Sequence, residues 1–369
     1  AVGRQSLTAA TTSSNNVAMG HQAAYATSSA ANDNVFIGYQ SAYSNGNGDN
    51  SVVIGSGAGK ESALLDKCVA IGKGAMQETG VLMSQNVAIG WEALKNAESG
   101  SGDEGNNNVA VGTSALATNT TGSASTAVGY GALTSQTTPG VNSAFGNLAG
   151  TALTTATDNT LVGYQAGVSN LTGDDNTFIG DNAGYYVTAA QNTALGSGAN
   201  TASGAPAAYT NTTCLGYAVN PTAANQVRLG NASVSSLHCQ VALTVDSDER
   251  VKKNVKTSSL GLSFLNALRS VSFKKLNPFQ WPEKLKEARF LRDGSDKPSD
   301  PKPKDDPNVY TGFIAQEVKK VLDDQGITEW DGWTEGENGM QSLTMTAFIP
   351  ALIKAVQELS AKVEKLEAK

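Results

Sequence analysis

The sequence has very few metal-ligating residues. Its 369 residues include three cysteines, Cys68, Cys214 and Cys239, and two histidines, His21 and His238. No CxxC pair occurs, and these residues lack the close spacing that metal sites need. The pattern therefore predicts no metal site and no cofactor. It also predicts that Cys68 and Cys214 occupy inward positions of strands as small apolar residues.

Positive charge and long apolar runs are also scarce in the first two thirds of the chain. The net charge is −7, and most charged residues lie near the C-terminus, so the region offers no basic patch for nucleic acid or anionic lipid. No apolar run of about 18 residues occurs, and we expect no secretory signal. We therefore expect no nucleic-acid partner and no membrane insertion. The start at Ala1 suggests a piece of a longer polypeptide.

Aromatic residues are only 6% of the chain, whereas glycine is abundant with 39 residues, which argues against one large apolar core. The glycines follow a recurring phrase, typified by Asn-Val-Ala-Ile-Gly at 86–90. A period of about 17 residues indicates stacked β-structure, because helical repeats need longer units. The thirteen copies end at Gly20, Gly38, Gly55, Gly72, Gly90, Gly112, Gly129, Gly146, Gly163, Gly180, Gly196, Gly216 and Gly230.

Each copy places a short apolar strand before its glycine. In the second copy, alternation puts Val35 and Ile37 on one face of the strand and Phe36 on the other. The glycines suit sharp corners, and asparagines before the strands suit turns or ladders between coils. A narrow coil encloses few side chains, so we expect three chains to share an axis. Residues 1–235 are thus predicted to form a mainly β, trimeric parallel repeat stack, either a β-roll or β-helix or a β-prism.

The chain changes character after residues 236–246, which we expect to be junction strands. Residues 247–369 predict a small α+β domain with a loop at 293–308, rich in Pro, Asp and Lys. Leu262, Leu265 and Leu268 have helical spacing in this domain.

A heptad repeat predicts a coiled coil at 347–369. β-Branched residues at a with Leu at d favour a dimer in isolation. The repeat stack requires three chains, so we predict a trimer. Its seam comprises Ile349, Leu352, Val356, Leu359, Val363 and Leu366.

Ser247 and Lys252 form a candidate reactive pair at the start of this domain. A serine hydroxyl becomes a nucleophile when a base takes its proton, and a lysine amine is a base only when burial or a nearby positive charge keeps it neutral. Arg250 and Lys253 are the candidate like-charge neighbours, and an interface closed by trimer assembly would supply burial. His238 is the alternative base.

Three blocks, at 244–255, 310–318 and 349–359, resemble in order the self-cleaving intramolecular chaperone domain of bacteriophage tail spikes and fibres, the S74 peptidase family. The resemblance implies a chaperone that aligns three chains and is then removed by a Ser247/Lys252 dyad acting in cis. Either peptide bond adjoining Ser247, towards Asp246 or towards Asp248, is a candidate for cleavage.

The repeats resemble the head repeats of trimeric bacterial adhesins and the shaft or tip repeats of phage fibres. The longest interval between repeat glycines holds a loop at 97–106, a natural recognition surface. Corner aromatics such as Trp91, Tyr130 and Tyr164 either stack on sugar rings of a receptor or cover neighbouring coils.

These features predict a phage tail fibre or spike tip, made in the host cytoplasm and carried in the virion. It would bind a host-surface glycan or protein and join other tail proteins through an N-terminal part outside this sequence. One alternative is a trimeric bacterial adhesin with an uncut C-terminal domain. The other is a capsule depolymerase with carboxylates in the repeats, although the adjacent Asp174 and Asp175 are more typical of a polar turn. The sequence leaves the receptor and the host open.

Overall fold

The computed structural model of the chain contains two compact units, the first of which is Ala1–Asn231. The structure describes residues 1–10, 12–27, 30–62, 64–78, 83–96, 105–138, 140–201, 204–231, 233–234, 236–240, 247–276, 280, 282, 307–336 and 339–369.

The first unit is a parallel β-solenoid, which confirms the predicted mainly β repeat stack. Thirteen three-residue strands of the described chain, one per repeat, pair in parallel to form one sheet. They are β1 (Val17–Met19), β2 (Val35–Ile37), β3 (Val52–Ile54), β5 (Val69–Ile71), β7 (Val87–Ile89), β8 (Val109–Val111), β9 (Thr126–Val128), β10 (Ser143–Phe145), β11 (Thr160–Val162), β12 (Thr177–Ile179), β13 (Thr193–Leu195), β14 (Thr213–Leu215) and β15 (Val227–Leu229). A separate short sheet pairs β4 (Leu65–Asp66) with β6 (Met83–Ser84), and a 3-10 turn spans Ala205–Ala208.

The register of the sheet follows the repeat. Val35 pairs with Val52 and Phe36 with Val53, and equivalent repeat positions pair along the whole sheet. In the main sheet, the middle residue of each strand from β1 to β14 points into the coil and is buried, whereas its two neighbours lie on the outer face. The predicted alternation around Phe36 is therefore confirmed, with Phe36 on the inside.

The interior of the coil is narrow, and small residues fill most of it. Ala127 and Ala132, from two walls of one coil, are both fully buried. At one large ring, a glycine makes room: a Cβ on Gly184 would lie 2.5 Å from ring atoms of Phe178. A chain with few aromatic residues can fill such a coil because it needs little side-chain volume.

The two cysteines of this unit are buried, but only one sits in a strand. Cys214 is the middle residue of β14, where burial raises the pKa of its thiol to about 12. Cys68 lies one residue before β5, so its predicted strand position is wrong, and burial raises its pKa to about 11. Both thiols behave as apolar packing groups, because burial disfavours the thiolate.

A ladder of buried asparagines runs beside the sheet, in the position just before seven of the strands. The side-chain oxygen of Asn142 accepts the backbone N–H of Asn159 at 3.0 Å, and Asn159 accepts that of Asn176 at 3.0 Å. Asn176 in turn accepts from the backbone of Asn192 at 2.9 Å. The ladder provides hydrogen-bond partners for polar groups that the stacked coils bury. Each such group left unpaired would cost about 1–3 kcal/mol of stability.

The glycine after each strand is required by both conformation and space. Gly38 has φ +133°, and a Cβ there would lie 2.5 Å from the carbonyl oxygen of Gly55 in the next coil. Gly90 has φ +141° and would meet Gly112 at the same distance. The corners can therefore stack only when no side chain stands between them.

We predict that Gly129→Asn unfolds the solenoid at a lower temperature than Gly57→Asn. Gly129 has φ +140°, and its Cβ would lie 2.6 Å from the carbonyl carbon of Gly146. Gly57 has φ +67°, a conformation that asparagine tolerates, and open space around its Cβ position. The corner variant should lose at least about 1–3 kcal/mol of stability. Thermal unfolding followed by circular dichroism measures the difference, and equal midpoints would contradict the packing argument.

Within its described residues, the second unit combines three helices with two small antiparallel sheets. The helices are α1 (Leu262–Ala267), α2 (Ala315–Asp324) and α3 (Phe348–Glu367), and 3-10 turns span Glu249–Val251 and Met345–Ala347. The sheets pair β16 (Val271–Phe273) with β17 (Tyr310–Gly312) and β18 (Trp333–Glu335) with β19 (Gln341–Leu343).

The core of this unit is a cluster of aromatic rings. Phe264 of α1 is fully buried, with its ring 5.4 Å from Trp330 and 6.3 Å from Phe348. The leucine pattern placed the helix correctly, but Leu262 is only half-buried. Phe264 takes the central position because its larger apolar side chain gains more from burial and ring contact.

Candidate functional site

A single 3-10 turn builds the junction at the start of the second unit. Asp248 caps the turn, and its side chain accepts the backbone N–H of Arg250 at 2.8 Å. The backbone N–H of Lys252 donates to the carbonyl of Glu249 at 3.0 Å and closes the turn. Because the turn reverses direction within three residues, it carries Lys252 back towards Ser247.

The turn brings the two predicted reactive side chains into contact. Lys252 Nζ donates to Ser247 Oγ at 2.7 Å. This is within the distance at which a base takes a hydroxyl proton. With a neutral amine, the same contact would allow the proton to move from Ser247 to Lys252.

Arg250 is engaged elsewhere in the turn. Its guanidinium contacts Asp248 through Nε at 3.0 Å and through a terminal nitrogen at 2.5 Å. The side-chain and backbone hydrogen bonds from Arg250 lower the pKa of the Asp248 carboxyl, and the side-chain bond raises the pKa of Arg250. The pairing keeps Asp248 ionised beside Ser247. The sequence predicted Arg250 as a positively charged neighbour of Lys252. The negative charge of Asp248 offsets that positive charge.

The junction is solvent-exposed in the single chain. Ser247, Asp248, Arg250, Lys252 and Lys253 are all exposed. The described chain alone therefore gives Lys252 no burial that would favour a neutral amine. His238, the alternative base, is also exposed.

Several features predicted from the sequence lie partly outside the described residues. Asp246 and residues 241–245 lie outside them, as do residues 293–306 of the predicted loop and residues 97–104 of the recognition loop. Of the recognition loop, Gly105 and Asn106 are described, and both are buried.

Helix α3 buries one face and leaves its heptad stripe in solvent. Phe348, Ala351 and Ala355 face the core of the unit. Glu358, on the same helix, accepts the N–H of Leu262 at 2.9 Å and so attaches α3 to the start of α1. The stripe residues are 43–70% exposed, and they are Ile349, Leu352, Val356, Leu359, Val363 and Leu366.

The outer face of the solenoid sheet is uncharged throughout. The first residue of each strand is Val, Thr or Ser. The third residues are apolar without exception: Met19, Ile37, Ile54, Ile71, Ile89, Val111, Val128, Phe145, Val162, Ile179, Leu195, Leu215 and Leu229. The sequence pattern predicted the alternation within each strand. The continuous apolar face was missed, although comparing the outward residues of successive copies would have revealed it.

The three aromatic residues singled out from the sequence share one position of the repeat. Trp91, Tyr130 and Tyr164 each follow a corner glycine, and they are 51%, 57% and 49% exposed. By contrast, Asp174, considered for a depolymerase, accepts the backbone N–H of Thr157 at 2.7 Å and serves the turn.

The described residues contain neither a metal-binding cluster nor a membrane-spanning helix. There, no group of three or more His, Cys, Asp or Glu side chains is placed to hold a metal ion. No helix in the same part of the chain is both long and apolar enough to cross a membrane.

Comparison with known proteins gives one family match. No curated protein matches the chain. The Peptidase_S74 family model, described as the chaperone of endosialidase, matches residues 247–327, which begin at Ser247 and include α1 and α2. This match and the parallel β-solenoid before it fit a tail spike or tail fibre with a C-terminal chaperone domain of the Peptidase_S74 type.

Proposed function

We propose that the chain is the tip of a phage tail fibre or spike, which forms a homotrimer and binds the host surface. Its C-terminal domain would align the three chains and then leave by cleavage at Ser247. The observation that carries this proposal is the 2.7 Å contact between Lys252 and Ser247 at the first residue of the family match. The protein would be made in the host cytoplasm and joined to other tail proteins in the virion through a preceding segment.

Two uncovered apolar surfaces support assembly from copies of the same chain. Large apolar patches on a protein surface mark interaction sites. The α3 stripe has the heptad pattern of a helix that pairs with identical helices. The outer face of the sheet spans thirteen strands, about 60 Å at about 4.8 Å per strand. In each unit, three chains that turn the apolar face of that unit inward would bury it.

Cleavage follows from the chemistry of the contact. In the simplest route, Ser247 Oγ attacks the carbonyl carbon of Asp246, and the bond from that carbon to the Ser247 nitrogen breaks. Lys252 takes the hydroxyl proton and returns it to the departing nitrogen. Water then hydrolyses the resulting ester, leaving a carboxylate on Asp246 and a free amino group on Ser247.

Exposure of the pair provides a reason for cleavage to wait for assembly. A lysine in water keeps its proton and cannot act as a base. Burial between chains would favour the neutral amine. Correctly assembled chains would therefore be cut, and unassembled chains would keep the chaperone. Its removal leaves the fibre without an easy route back to separate chains, so a high unfolding barrier protects it.

We predict that Ser247→Ala and Lys252→Ala each abolish chain scission and leave assembly intact. Ser247 supplies the attacking oxygen and Lys252 the base, whereas assembly depends on the apolar surfaces. Mass spectrometry of the purified protein reports the cut directly. Lys256→Ala is the control, since Lys256 is an exposed lysine of the same segment, and it should be cut normally. A fragment ending at Asp246 from Lys252→Ala would exclude the dyad and direct attention to His238.

We predict a trimer in solution, and Leu352→Asp should disrupt both assembly and scission. The substitution places three carboxylates in one apolar layer, and burying unpaired charges there is strongly unfavourable. Gln357→Asp is the matched control, because it adds the same charge at an exposed position off the stripe. Light scattering measures the mass. A single-chain mass for the unmodified protein, or normal scission in monomeric Leu352→Asp, would contradict the proposal.

Host binding is expected to involve the loop at 97–106. Deleting residues 97–104, which leaves the buried Gly105 and Asn106 in place, should reduce attachment to susceptible bacterial cells while the protein remains a trimer, because these residues lie in the longest interval between repeat glycines. Attachment of labelled protein to a panel of strains tests this. Full attachment after the deletion would exclude the loop as a contact.

A further inference from the structure

One row of side chains on the solenoid combines exposed aromatic rings with polar groups in a regular order. The row consists of the residue after each corner glycine, and its central part is Trp91, Thr113, Tyr130, Asn147 and Tyr164. We call these five residues the aromatic row. Rings occupy alternate coils, and uncharged hydrogen-bonding side chains occupy the coils between them.

Backbone hydrogen bonds hold the aromatic row in line. The carbonyl of Trp91 accepts the N–H of Ser114 at 2.9 Å, and that of Thr113 accepts from Gly131 at 2.9 Å. The carbonyl of Tyr130 accepts from Leu148 at 2.8 Å. Each member is therefore fixed directly above the one before it, so the row runs parallel to the solenoid axis on rigid backbone.

Packing within the protein leaves these rings partly exposed. Where two aromatic residues occupy consecutive coils of the same row, they stack: the rings of His21 and Tyr39 are 5.6 Å apart and nearly parallel. In this repeat position Trp91 lies between Lys73 and Thr113, Tyr130 between Thr113 and Asn147, and Tyr164 between Asn147 and Asp181. None of the three has an aromatic neighbour there, and all three remain about half exposed. At a spacing of two strands, about 9.6 Å, successive rings are separated by one polar side chain, Thr113 or Asn147.

We propose that the aromatic row binds a neutral, linear polysaccharide of the host surface along the solenoid axis. A sugar ring presents an apolar C–H face that an aromatic ring can cover, while its hydroxyl groups need hydrogen-bond partners such as Thr113 and Asn147. A row with a fixed period matches a polymer with a fixed period, which an ordinary protein surface does not have. The five side chains carry no charge, and the residues that flank them in the same repeat position, Lys73 and Asp181, have opposite charges, so the row favours a neutral glycan over an acidic one.

The inference rests on the proposed host-binding function and makes it more specific. If several rings of one glycan chain engage together, each added ring raises the effective concentration of the next. Affinity should therefore rise with glycan length until the chain spans from Trp91 to Tyr164, four strand spacings or about 19 Å.

The test uses the full protein and the purified neutral surface polysaccharide of a strain to which it attaches, separated by length. Binding is measured by calorimetry. Tyr130→Ala and Tyr164→Ala should each weaken binding about tenfold, as expected for loss of an aromatic contact worth about 1.4 kcal/mol. The double variant should lose more. Tyr130→Phe should bind normally because it keeps the ring.

Tyr185→Ala is the matched control, since this half-buried tyrosine lies outside the aromatic row and should not affect binding. Trimer mass is measured for every variant. If the double variant binds as tightly as the parent, or if it loses binding only because the trimer dissociates, the inference is overturned. If the protein attaches to cells but its polysaccharide does not bind, the inference fails while host binding stands. Attachment to no strain would overturn both.

Discussion

The close stacking of corner glycines is the constraint on which the solenoid depends. At each corner the chain adopts a positive φ, and the next coil approaches so closely that a Cβ would meet its backbone, as at Gly38 and Gly90. This contact sets one register for every coil. Equivalent repeat positions then form straight rows: small residues inside, asparagines beside the strands, apolar residues on the outer sheet face and aromatic residues after the corners. The apolar sheet face and the aromatic row are two of these rows.

The second unit carries an exposed helix stripe and an exposed candidate reactive pair. Helix α3 packs through Phe348 and Ala351 on an aromatic core, and Glu358 attaches it to α1. Its other face carries the heptad stripe. At the start of the unit, Ser247 and Lys252 touch while both remain in solvent. In the proposed trimer both features would gain burial that one chain does not provide, so the proposed assembly and cleavage would share a single requirement.

Sequence patterns predicted much of this structure, and the misses have physical causes. The glycine period located all thirteen strands of the main sheet because corner geometry tolerates no other residue. Leucine spacing located α1 but not Phe264 as its buried residue, since spacing records the face of a helix and not the competition between side chains for the core. The Ser247 and Lys252 pair was predicted from residue type and spacing together with the resemblance to the S74 domain. The pairing of Arg250 with Asp248 was not, because it depends on how the turn orients both side chains.

The sequence by itself determined the repeat period, the corners and the heptad stripe, because each is a regularity of intervals along the chain. The tertiary structure decided which face of each strand lies inside. Alternation is symmetric and cannot choose, but a narrow coil admits chiefly alanine-sized residues, so the bulkier Val and Ile side chains go outside. It also decided which distant residues align. Trp91, Tyr130 and Tyr164 are far apart in sequence, and only closure of each coil in register places them in one row.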